Sequence, residues 1–145
     1  MRAERLCRTT QSDSCSPGCY GGSNAALKPG ALLALPASLD IAGLGLETQA
    51  AQQLAWTLQN YGGYVVDSTS WSVYAVETEQ GPAGTVVDEF QRAWGFSMTP
   101  TSRDNAWSRD MDRIFGALAV INNNSAGSVG GGGTPRQPLA APIGN

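Results

Sequence analysis

Apolar residues recur at helical spacing in only three short segments of this chain; elsewhere glycine, proline and asparagine break up the apolar runs. With no heptad and no internal repeat, a long bundle or a solenoid is excluded, and a small α+β domain is what the pattern allows. The first segment spans residues 47–60. Ala51, Leu54, Ala55, Leu58 and Tyr61 lie three and four apart, and Gly62 is placed to end the helix as its C′ residue. The second runs from Thr85, an N-cap with Asp88 three residues on, to about Trp94, with Val86, Val87, Phe90 and Trp94 as its apolar stripe. In the third, Asp104 or Asn105 caps a helix that carries Trp107, Met111, Ile114, Phe115 and Leu118 on one face. On its other face Arg109 with Asp112 and Asp110 with Arg113 are spaced to pair.

The strands are shorter. Gly30-Ala-Leu-Leu-Ala-Leu-Pro36 reads as a buried strand ended by proline. Tyr64-Val-Val-Asp67 and Ser72-Val-Tyr-Ala-Val-Glu77, with four residues between them, read as an antiparallel hairpin. Ala119-Val-Ile121 reads as a short strand or a helix end. The strand at 31–35 has no evident neighbour in the sequence. The expected architecture is therefore α+β: three short helices, one hairpin and isolated strands, a fragment of a larger β-rich domain whose partner strands lie upstream. Residues 1–26 read as a disordered leader, 27–121 as an α+β partial domain, and 122–145 as a Gly/Pro-rich strap anchored by Val129, Leu139 and Ile143.

Composition narrows the setting. Charged residues make up 14% of the chain, against about a quarter in soluble domains, and Lys28 is the only lysine. A surface poor in lysine and rich in Gly, Asn, Ser and Thr suits a secreted or cell-surface protein. A net charge of −3 with no basic run beyond Arg2, Arg5 and Arg8 argues against nucleic acid as a partner. No membrane span is expected, because Pro36 and Asp40 interrupt the longest apolar stretch. The first 25 residues contain no apolar signal-peptide core. Cys7, Cys15 and Cys19 lie within the leader; a Cys15–Cys19 disulfide and three unpaired thiols are both open, and three thiols without histidine make a poor zinc site.

The absence of histidine excludes Ser-His-Asp and Cys-His nucleophiles and histidine metal sites within this chain. Carboxylate chemistry remains. Asp67 and Glu77, at the ends of the expected hairpin with Trp71 at its tip, could form a paired-carboxylate cleft; equally, Asp67 caps the turn and Glu77 is solvated. Asn122, Asn123 and Asn124 offer side-chain oxygens to sugar hydroxyls or calcium, or are turn residues. Of the four tryptophans, Trp71 is the expected ligand contact. The run Gly130–Gly133 lacks the Lys-Ser/Thr of a phosphate loop, so no cofactor is expected, and no metal.

The order Gly30-Ala-Leu-Leu-Ala-Leu-Pro36, Gly45-Leu-Glu47 and Leu58-Gln-Asn-Tyr-Gly-Gly-Tyr-Val-Val-Asp67, with Trp71 following, resembles the C-terminal portion of a largely uncharacterised family of large secreted bacterial proteins. The closing Gly130-Gly-Gly-Gly-Thr-Pro-Arg136 and Pro-Ile-Gly-Asn145 resemble the ends of such proteins. The resemblance implies an extracellular setting and a β-rich, histidine-bearing region upstream. The expected function is a structural or binding part of a secreted protein without catalysis of its own, its partner a carbohydrate or the missing upstream part of its domain. The competing expectation is part of a carbohydrate-active enzyme that uses Asp67 or Glu77.

Overall fold

The computed structural model describes residues 23–66, 74, 76–82 and 84–124. In chain order the elements are β1 (Leu32–Ala34), α1 (Gln49–Asn60), β2 (Gly63–Tyr64), β3 (Gln80–Gly81), β4 (Gly84–Thr85), α2 (Val86–Trp94), α3 (Ala106–Ala117) and β5 (Ala119–Val120). Single 3-10 turns occur at Ala25–Leu27, capped by Asn24, and at Ala42–Leu44. The class is α+β. The leader cysteines, the glycine run, the strap anchors, Asp67 and Trp71 lie outside the described residues.

The helices form where local chemistry places them. Thr48 Oγ1 accepts the Ala51 amide at the start of α1, Thr85 Oγ1 accepts the Asp88 amide at 3.0 Å, and Asn105 Oδ1 accepts the Ser108 amide at 2.8 Å. Gly95 follows α2 at φ +75°. Asp88 and Glu89 in the first turn of α2, with Arg92 in the last, complement the helix dipole.

The strands pair differently from the expected hairpin. β1 is the middle of a three-stranded antiparallel sheet in the order β2-β1-β5. Leu32 faces Tyr64 and Leu33 faces Gly63 on one side; Leu33 faces Val120 and Ala34 faces Ala119 on the other. The strand that seemed to lack neighbours thus finds both within the chain. Tyr64 pairs with Leu32 rather than with a partner in 72–77, and the described residues of 74–79 carry no strand. The hairpin that does form is β3–β4, with Gln80 opposite Thr85.

Gly62 shows why β2 follows α1 so closely. It sits at φ +72°, and a Cβ there would lie 2.6 Å from the Leu33 carbonyl oxygen and 2.9 Å from Leu32 Cδ1. Gly95 shares the left-handed geometry but has open space where a Cβ would stand. Alanine at either position incurs the left-handed penalty of about 1–2 kcal/mol. Gly62→Ala adds overpacking, so its unfolding free energy should fall below that of Gly95→Ala by about 1–3 kcal/mol. Urea melts of the two variants test this; equal losses would mean that the β1–α1 contact is looser than described.

The core lies between α1, α3 and β1. The buried side of α1 is made of alanines, Ala50, Ala51 and Ala55, so α3 approaches closely and seats Trp107, Met111 and Ile114 against them, with Leu35 from the end of β1. Leu54, Leu58 and Leu118, expected to be buried, flank this contact half-exposed, and Tyr61 is exposed. Phe90 of α2 packs on Phe96 and Trp107 with ring centroids 5.3 and 5.0 Å away, and Trp107 Nε1 donates to the Met98 carbonyl.

Candidate binding surface

The start of α1 is fixed by a residue distant in sequence. Asp110 in α3 is fully buried, and its carboxylate accepts the backbone amides of Glu47 and Thr48, each at 2.9 Å, and the Thr48 hydroxyl at 2.8 Å. Arg113 Nη1 donates to it at 3.0 Å. A carboxylate aimed at the N-terminal amides of a helix satisfies donors that have no partner within the helix. The spacing 107, 110, 111, 114 places Asp110 on the apolar face, not on the solvent face expected for it. Its i,i+3 pair with Arg113 forms, whereas Arg109 turns to Glu47 and Asp104, and Asp112 takes Arg103 and the Tyr74 hydroxyl.

Glu47 closes the node from outside. Arg109 grips its carboxylate with two hydrogen bonds, Nε at 2.9 Å and Nη2 at 2.7 Å, and Arg113 adds a third at 2.8 Å. Hydrogen bonding to Arg109, then to Arg113, lowers the Glu47 pKa from its ordinary 4.5 to about 2. Between those values the unfolded chain binds more protons at this position than the folded one. The stabilisation is therefore full above pH 4.5 and is lost as pH falls through about 2. The stability difference between the wild type and Glu47→Gln should shrink steadily over that window in urea melts. A difference that stays constant there would mean that the clamp contributes nothing through its charge. Added salt should also reduce it, because the group is partly solvated.

Held at one end by this node, α1 turns a distinct face to solvent. Gln49, Gln53, Trp56 and Asn60 follow one another at helical spacings of four, three and four, with Gln52 one turn before Trp56, and Tyr61 caps the end. Trp56 is 45% exposed, Tyr61 51% and Tyr64 on β2 47%. The Trp56 and Tyr61 rings meet edge to face with centroids 5.9 Å apart. No charged residue occurs anywhere in residues 48–66. Trp56 and Tyr61, half-exposed and in ring contact, mark an interaction surface. The sequence carried the signal: Trp56 falls outside the stripe of Ala51, Leu54, Ala55 and Leu58. The sequence favours Trp71 instead, because it sits in an expected turn.

An open groove of about 570 Å³ runs beside the start of α3 between Phe96, Pro100 and Trp107. Four of its polar side chains are engaged with the chain itself. Thr48 is bonded to Asp110, Ser97 accepts the Thr99 amide, Ser102 accepts the Asp104 amide, and Asn105 caps α3.

Of the residues singled out in the sequence, Glu77 is exposed on a segment without secondary structure. Asn122 is exposed in the turn after β5. Asn124 donates to the Gly30 carbonyl at 3.2 Å, joining that turn to the start of β1. Among the described residues, no three Cys, Asp or Glu side chains cluster as metal ligands, and no helix is long and apolar enough to cross a membrane. No protein-family model, curated protein or solved structure matches this chain.

Proposed function

We propose that the chain is a non-catalytic binding part of a secreted or cell-surface protein, and that it binds through the solvent face of α1 together with Tyr64. The observation that carries this reading is the joint exposure of Trp56 and Tyr61, in ring contact at the end of α1, with Tyr64 exposed three residues on in β2. Trp and Tyr give large contact area with few rotors to freeze, so they bind at low entropic cost. The amide network around Asp110 keeps α1 in place without drawing on these side chains. The low charge of the whole chain and its resemblance to secreted bacterial proteins supply the setting.

Co-sedimentation with bacterial cell-envelope material and insoluble polysaccharides tests the reading. The wild type should be retained on one of these surfaces, and the Trp56→Ala/Tyr61→Ala double variant should bind about tenfold or more weakly, a loss of about 1.4 kcal/mol or more. Circular dichroism should show both proteins folded. Retention unchanged in the double variant, or soluble fragments released from the polysaccharide by the wild type, would overturn it.

A further inference from the structure

From the make-up of this face we infer that its ligand is a neutral, polyhydroxylated chain, an uncharged oligosaccharide or polysaccharide, lying along α1. The inference rests on the binding role proposed for the same surface and adds the chemistry of what is bound.

Two observations carry it. The first is the aromatic content. One side of a sugar ring presents a patch of C–H bonds with slight positive character, and the face of an indole or phenol ring is electron-rich. Trp56, Tyr61 and Tyr64 offer such faces at 45–51% exposure. The second is the polar content. Gln49, Gln52 and Gln53 are exposed on the line that leads to Trp56, with Asn60 half-buried beyond it and donating to the Trp56 carbonyl at 2.8 Å. Each glutamine amide both donates and accepts, as a sugar hydroxyl does, so the two match in either orientation. Carboxylates, ammonium groups and guanidinium groups are absent from residues 48–66, although the chain carries nine basic and twelve acidic residues elsewhere. A charged ligand lying along these residues would lose hydration and gain no counter-charge from them, and the Glu47, Arg109 and Arg113 charges just before α1 are already paired with one another. A neutral one meets neutral complements along residues 48–66. The twelve residues of α1 extend about 18 Å, so the face suits a short oligosaccharide better than a single sugar.

The groove beside α3 fits this ligand less well, because most of its hydroxyl and amide groups are already bonded within the chain.

The test titrates the full chain with neutral oligosaccharides of glucose, mannose, xylose and N-acetylglucosamine, and with a uronic-acid oligosaccharide of the same length. Tryptophan fluorescence and calorimetry report binding, and sedimentation velocity of the chain alone runs beside them. At least one neutral oligosaccharide should bind with an affinity unchanged by added salt. Trp56→Ala should weaken it about tenfold or more, and Trp56→Phe, which keeps an aromatic face, should restore most of the loss. Circular dichroism controls for folding.

Salt-sensitive binding of the uronic-acid chain in preference to the neutral ones would overturn the inference. So would self-association that Trp56→Ala abolishes, since the occupant would then be a second copy. Both of those outcomes leave the binding role of the face intact. If no member of the panel binds and the chain stays monomeric, the inference fails; if Trp56→Ala also leaves envelope retention unchanged, the binding role fails with it.

Discussion

Asp110→Ala is expected to cost about 3–5 kcal/mol of folding stability, the range for removing one partner from a buried charged network. The loss comes from what the carboxylate leaves behind. The Glu47 and Thr48 amides and the Thr48 hydroxyl lose their acceptor, and Arg113 keeps only Glu47. Donors stranded inside a domain cost about 1–3 kcal/mol each where water cannot reach them. Asp110→Asn should fall between the alanine variant and the wild type: it keeps the volume and one acceptor oxygen but turns an NH₂ toward groups that are themselves donors. Chemical denaturation of both variants measures this. A loss below about 1 kcal/mol for Asp110→Ala would show that water replaces the carboxylate and that the end of α1 is open to solvent.

Ile114→Ala is expected to cost about 2–5 kcal/mol, since Ile114 is fully buried where α3 meets the alanine side of α1. The backbone already approaches closely there, so the cavity left by three lost carbons has little room to collapse. Leu58→Ala, at a half-exposed flank of the same contact, should cost clearly less. Equal losses at the two sites would contradict the burial difference between them.

The two predictions fall on opposite sides of what could be read in the sequence. Ile114 was placed in the core by its spacing from Trp107, Met111 and Leu118, and the structure puts it there. Asp110 shares that spacing. Its charge and its i,i+3 relation to Arg113 suggested a solvent-facing pair instead, because its other partners lie at residues 47 and 48, more than sixty positions away. The same distance hid the sheet. A strand of two or three residues carries too little pattern to name its neighbour, so Tyr64-Val-Val-Asp67 was matched to the nearest strand-like run, whereas Leu32 takes up Tyr64 from more than thirty positions away. The candidate site divides similarly. Asp67 and Trp71 lie outside the described residues, while Trp56 stands half-exposed among glutamines.

By itself the sequence determined the local caps of the helices: an acceptor side chain before each of the three and a glycine after two of them. Thr48, Thr85 and Asn105 each hydrogen-bond an amide three residues on, and Gly62 and Gly95 adopt a left-handed backbone just past a helix end. These are interactions across a few bonds of chain, fixed by residue type alone. Tertiary structure decided which strands pair, which acidic side chain enters the core and which aromatic ring stays in water. Those outcomes depend on groups far apart in the chain. Each is settled only when a buried donor, an open strand edge or an apolar face finds the one partner that the packed backbone brings within reach.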